Sequence, residues 1–156
     1  MTETPNPPLV FLIAGEPSGD AIGARLMMAL RKSYGPDIRF AGLGGEAMIS
    51  EGLDSLFPIS DISIMGLLEI LPRLSLILRR IRETVAAIRD MTPDIVVTID
   101  FPAFCFRVWR KLGKTAPPLM HYVAPTVWAW RPERAQKFAD AIQHLLALLP
   151  FEPPYF

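Results

Sequence analysis

Leu9–Ala14 (LVFLIA) is an unbroken apolar run closed by Gly15. A strand with no polar position to turn toward water belongs inside a parallel sheet, covered on both faces. The spacing then changes. Over residues 18–34, Ile22, Leu26, Ala29 and Leu30 recur at helical intervals, Ser18 stands where an N-cap would, and Gly35-Pro36 stops the element. The alternation continues down the chain. Residues 38–43 read as a second strand, 55–58 as a short third, 93–99 (PDIVVTI) as a buried central one, and 119–123 and 144–149 as the last two. Helices are expected over 104–112 and 132–141, and before the central strand, where Leu74, Leu78, Ile81, Val85 and Ile88 form a packing stripe. Strands alternating with helices predict an α/β fold, a Rossmann-like doubly wound parallel sheet.

Composition narrows the partners. The chain has 156 residues, room for one domain, and its 51% hydrophobic content is ample for a core. Sixteen basic residues balance sixteen acidic ones and no basic, aromatic-interleaved tract occurs, so no nucleic-acid partner is expected. The single Cys105 has no partner for an internal disulfide, and the start MTETPNPP lacks the features of a secretory signal, which together predict a reducing cytoplasm. No His/Cys/Asp/Glu grouping has metal-ligand spacing, so neither a metal nor another cofactor is expected. The last strand runs into LPFEPPYF without a closing helix, so either the tail folds back or more chain is expected beyond it.

In open α/β sheets, ligands bind outside the carboxyl ends of the strands, where strand order reverses. Three post-strand loops are chemically unusual. In the first, GEPSGD, Gly15 and Gly19 allow close approach of backbone to a ligand, and the helix that follows presents free N–H groups at its start; Glu16, Ser18 and Asp20 complete the motif. A capped, solvated turn is the alternative. It is no Walker A loop, and the cluster Gly42-Leu43-Gly44-Gly45 reads as a turn. In the second, Asp100 follows the central strand at the rim of the buried sheet, with Pro102 stiffening its loop. It suits a general base, and otherwise caps the next helix. In the third, HYVAPTVWAWR, Trp128 and Trp130 suit stacking on a sugar or uracil ring, while His121 and Arg131 suit phosphate and Tyr122 lies between them. Core packing of one tryptophan, and a His121 that only satisfies a backbone carbonyl, are the plainer readings.

One segment carries more apolar side chains than packing needs. Met65, Leu67, Leu68, Ile70, Leu71, Leu76 and Ile77 are surplus to the stripe, while Glu69, Pro72 and Arg73 keep the run too short to span a bilayer. Arg79 and Arg80 stand among flanking arginines, as in segments that lie on anionic membrane surfaces. The alternatives are a wholly buried helix and a contact between two copies in a homodimer.

Taken together, AGEPSGD, IMGLLEILPRL, PDIVVTIDFP, HYVAPTVWAWR and LPFEPPYF resemble the lipid-A-disaccharide synthases, in order and in spacing, from Leu9 to the end of the chain. The resemblance implies a GT-B glycosyltransferase whose first Rossmann-like domain holds the acceptor and whose second grips UDP. Residues 1–156 would be the acceptor domain, with the UDP-binding domain absent from this chain and the fragment inactive alone. The family transfers 2,3-diacylglucosamine from UDP-2,3-diacylglucosamine to 2,3-diacylglucosamine 1-phosphate (lipid X), with inversion, at the cytoplasmic face of the Gram-negative inner membrane. By the same resemblance Asp100 is the base. Gly15, Glu16, Ser18, Gly19 and Asp20 are then substrate-binding, with His121, Tyr122, Trp128, Trp130 and Arg131. Ala103 and Cys105 stand where the family commonly has polar residues. A noncatalytic Rossmann module and a GT-B enzyme such as a UDP-N-acetylglucosamine epimerase are the competing readings, and neither needs the surplus apolar segment.

Overall fold

The computed structural model describes residues 7–63, 67–125 and 132–156, with the side chains of 67–71 and 132–134 left aside. In chain order the elements are β1 (Leu9–Ala14), α1 (Pro17–Tyr34), β2 (Arg39–Leu43), α2 (Glu46–Ser50), α3 (Leu67–Met91), β3 (Ile95–Ile99), α4 (Pro102–Leu112), β4 (Leu119–Tyr122), α5 (Pro132–Ala139) and β5 (His144–Leu146). The sheet is parallel throughout, in the order β2-β1-β3-β4-β5. From β1 the chain moves outward to β2, then returns to β3 on the other side. The order therefore reverses between β1 and β3, and the register pairs Ala14 with Ile99 at their carboxyl ends.

Strand periodicity sends alternate residues of β1 to opposite faces. Phe11 and Ile13 join a cluster with Ile81, Val85 and Ile88 of α3 and Phe104, Val108 and Trp109 of α4. Val10, Leu12 and Ala14 join one with Ala24 and Met27 of α1. All six residues of β1 are buried, the result that the unbroken apolar run requires.

Three expectations change. Helix α1 begins at Pro17, not Ser18: a proline needs no hydrogen-bond partner in the first turn, Glu16 takes the N-cap place without a side-chain cap, and Ser18 is exposed. Residues 55–58 form no strand, only a single bridge from Ser55 to Gly42. Pro58 has no N–H to extend a ladder, and the Ser55 hydroxyl donates to the Phe57 carbonyl instead.

Helix α3 is rotated from the expected stripe. Ile81, Val85 and Ile88 are buried, but Leu74 and Leu78 are 44% and 42% exposed, and Ile77 packs against the core in their place. Arg80 accounts for the rotation. Its Nε donates to Asp61 at 2.8 Å, its Nη1 to Glu83 at 2.6 Å, and its guanidinium lies 4.6 Å from the centre of the Phe57 ring. These contacts hold that side of the helix against the short turn Ile59–Asp61. Ile77 and Arg80 are thus turned toward the protein, not toward an outer surface.

Candidate functional site

The loops after β1 and β3 touch. Gly15 is buried beneath the Phe101 ring, and a Cβ at position 15 would stand 2.7 Å from its Cγ. One turn on, a Cβ at Gly19 would stand 3.2 Å from the Ile99 carbonyl. Both glycines therefore serve the close approach of one loop to the other.

Asp100 sits half-buried at this junction. Its backbone and that of Phe101 are both left-handed, each with φ 51°. The Phe101 N–H donates to Asp100 Oδ1 at 2.8 Å, the Asp100 N–H donates to the Tyr122 carbonyl at 2.9 Å, and the Cys105 thiol donates to the Asp100 carbonyl at 3.6 Å. Oδ2 has no hydrogen-bond partner among the described residues. The carboxylate does not cap α4, whose N-cap residue is Phe101 and which has no side-chain cap.

Val123, at the end of β4, is a third left-handed residue, with φ 75°. Aspartate tolerates this conformation, whereas phenylalanine and a β-branched valine pay roughly 1–3 kcal/mol each and keep it only where the surroundings impose it. Here the Val123 N–H is tied to the Leu146 carbonyl, and the Phe101 ring lies between Gly15 and Phe104. Strain of this kind gathers at functional sites. Three of the four non-glycine residues with positive φ among those described lie at the ends of β3 and β4.

Asp20 has a different task from contact with a ligand. It is buried, and its carboxylate accepts from the N–H groups of Gly45, Ala47 and Met48 at 2.8, 2.9 and 3.0 Å. Glu16 and Ser18 remain on the open side of the loop, half-buried and exposed respectively. Tyr122 is half-buried and packs against the α1-side cluster. Trp128, Trp130 and Arg131 lie outside the described residues, as does Met65.

His121 is no phosphate ligand. Its side chain is fully buried, Nδ1 stands 2.7 Å from Thr98 Oγ1, the ring meets Trp109 edge-on at 5.1 Å, and Nε2 has no partner among the described residues. Desolvation lowers its pKa to about 4, so the imidazole is neutral at pH 7. The alternation along β4 carried the signal: His121 shares a face with Leu119, which is buried. The unfolded chain binds this proton more readily than the folded one. Stability is therefore full above the ordinary histidine value near 6.5 and falls as pH drops toward 4. His121→Asn, which removes the titration, should reduce the stability lost between pH 7 and pH 5 by about 2 kcal/mol in urea unfolding. Equal losses in the two proteins would rule out His121 as the titrating group.

Phe101 and Cys105 hydrogen-bond to Asp100 and Thr98 to His121, contacts that motif reading passed over or set aside. Burial pushes the Cys105 thiol far up, so it acts as a neutral donor to the Asp100 carbonyl and not as a nucleophile. No group of His, Cys, Asp and Glu that could hold a metal occurs among the described residues.

The sheet order and the paired loops define a Rossmann-like α/β chain whose crevice opens where β1 and β3 end. Residues 10–156 match the family model for lipid-A-disaccharide synthetase, and the chain belongs to that family. It is 58% identical over 152 residues to the lipid-A-disaccharide synthase of Rhodospirillum centenum, covering 96% of this chain and 38% of that protein. With the synthase of Ruegeria pomeroyi it shares 57% over 148 residues, covering 94% and 36%. The chain thus spans less than two-fifths of the length of these relatives. Among solved structures, the UDP-GlcNAc 2-epimerase from Neisseria meningitidis bound to UDP-GlcNAc superposes with a TM-score of 0.54 at 15% identity, covering 88% of this chain and 38% of that one. At that identity the likeness speaks to the fold alone.

Proposed function

We propose that residues 1–156 form the acceptor-side domain of a GT-B glycosyltransferase of lipid A assembly, the UDP-binding domain lying in a further part of the protein. The reaction joins 2,3-diacylglucosamine, carried on UDP, to lipid X through a β-1,6 bond. The observation that carries this reading is Asp100, a carboxylate with one oxygen held by backbone and the other free of described partners, where β1 and β3 diverge. Oδ2 takes the proton of the acceptor 6-hydroxyl as that oxygen attacks C1, and UDP leaves from the opposite face. Gly15, Glu16, Ser18 and Gly19 frame the acceptor from the β1 side and Tyr122 borders it at the end of β4, while a substrate-binding role for Trp128, Trp130 and Arg131, outside the described residues, rests on the family resemblance alone. The leaving diphosphate needs cationic or amide stabilisation from the second domain, so this chain alone does not turn over. The test is an assay of a full-length protein bearing this chain with both lipid substrates. No release of UDP and no disaccharide would refute the reading.

Both proposed substrates carry acyl chains, so the protein works at the cytoplasmic surface of the inner membrane. No described helix is long and apolar enough to cross it. Leu74 and Leu78 form the exposed apolar edge of α3, with Arg73, Arg79 and Arg82 also exposed. They extend the surplus segment that includes Leu67, Leu68, Leu71 and Leu76, and replace Ile77 and Arg80 in it. Burial of a leucine side chain is worth roughly 1.5–3 kcal/mol. Leu74→Ser with Leu78→Ser should therefore lower flotation with anionic liposomes at least about tenfold, with the circular dichroism unchanged. Undiminished flotation would place the membrane contact elsewhere, and unfolding would make these residues structural.

A further inference from the structure

Beside the Asp100 crevice, on the α1 and α2 side of the sheet, lies a cavity of about 780 Å³. Its wall is built from Ile49, Leu53, Leu56, Phe57, Pro58 and Ile59, closed by the first turn of α1 and the Gly44-Gly45 turn. The Asp20 and Ser55 side chains in that wall are engaged within the protein. Both Asp20 oxygens accept backbone N–H groups, and the Ser55 hydroxyl accepts from Gly44 while donating to Phe57. The N–H groups of Ile49, Leu53 and Leu56 are bonded to the carbonyls of Gly45, Met48 and Gly42.

A ligand entering this space meets apolar surface and finds few polar partners, so any polar group it buries there loses its hydrogen bonds to water uncompensated. The charged side chains that line the cavity besides Asp20 are the exposed carboxylates of Glu46 and Asp54, and no lysine or arginine joins them. A phosphate or carboxylate is thereby disfavoured. Small-molecule sites ordinarily hold a few convergent polar groups that fix orientation. A lining without them suits an alkyl chain whose polar head is held elsewhere.

Two neighbours supply that elsewhere. The α1 turn that closes the cavity through Pro17 and Asp20 also borders the Asp100 loop through Gly15 and Gly19. On the other side, the rim at Ile59 and Ser60 is fastened to α3 by Arg80 on Asp61 and by Arg73 on the Ser60 carbonyl. The cavity therefore borders, on one side, the turn that packs on the Asp100 loop and, on the other, the turn fastened to α3.

We infer that this cavity takes an acyl chain of the sugar lipid whose hydroxyl Asp100 activates; the inference rests on the transferase reading above. Ile49 is 50% exposed at the mouth, so Ile49→Trp adds bulk there without opening the core, and Ser60→Trp does the same from the opposite rim. In the full-length enzyme, each variant should raise KM for a long-chain acceptor at least about tenfold, the value of a few methylenes withdrawn from burial. KM for a short-chain acceptor and kcat should stay within about a factor of two. Independently of turnover, the methyl ester of parinaric acid, a neutral fluorescent acyl chain, should bind saturably to wild type and at least about tenfold more weakly to both variants. KM changes equal for short and long acceptors, or ester binding unaffected by both tryptophans, would overturn the assignment. Ester binding that depends on Ile49 in a protein that transfers no sugar would refute the transferase reading and keep the acyl site.

Discussion

Asp100→Asn in the full-length protein should lower kcat by about 10²-fold or more while KM for the acceptor stays within a factor of a few. Asparagine is close in shape and retains the two local features of Asp100. Its side-chain oxygen still accepts the Phe101 N–H, and asparagine tolerates the left-handed backbone at φ 51° as aspartate does. The proton-accepting oxygen is lost, so a fall in kcat with an unchanged unfolding midpoint isolates the base. Asp100→Ala differs in kind, because it also removes the anchor to Phe101 and puts an ordinary residue in a strained conformation. The alanine variant should be the less stable of the two. Activity of the asparagine variant within a few-fold of wild type would take Asp100 out of the base role. Equal instability of both variants would mean that the charge holds the loop.

How far the fold was legible depends on how local its causes are. β1 and β3 read directly, because Leu9–Ala14 is apolar throughout and IVVTI is so but for Thr98, and such runs are stable only inside a sheet. For the loop after β3 the sequence left Asp100 as a base or a helix cap, and the structure removes only the cap, since the carboxylate holds the Phe101 N–H and α4 has no side-chain cap. Legibility failed where a distant partner decides. Nothing within α3 distinguishes Ile77 from Leu78. The ion pair of Arg80 with Asp61, nineteen residues away, turns one inward and the other out. Likewise, the left-handed backbone of Phe101 and Val123 has no signature in residue type, since neither residue favours it. Asp20 looked like part of a ligand loop because the three N–H groups it binds lie 25 to 28 residues further along.

That long-range role makes Asp20→Ala the most destabilising single change expected in the first loop, at about 3 kcal/mol or more. Helix α2 has Gly45 at its N-cap, which offers no side chain, so Asp20 supplies the oxygens that the N–H groups of Ala47 and Met48 require. Removing it orphans three donors, two of them in buried hydrogen bonds, at roughly 1–3 kcal/mol each before water repairs part of the loss. The same geometry predicts a reversal of sign. In the wild type a Cβ at position 45 would stand 2.7 Å from Asp20 Oδ2, so Gly45→Asp brings a clash and a second negative charge and should destabilise. In the Asp20→Ala background the carboxylate clash is gone, and the remaining close neighbour, Ile59 Cδ1 at 3.0 Å, is the movable end of a side chain. Gly45 has the extended backbone of an N-cap (φ −95°, ψ −159°), so Gly45→Asp there should restore a local cap and recover about 1 kcal/mol. Urea unfolding of the four proteins measures the coupling as a double-mutant cycle. If Gly45→Asp costs the same in both backgrounds, Asp20 is not the cap of α2, and its burial beside Gly45 needs another cause.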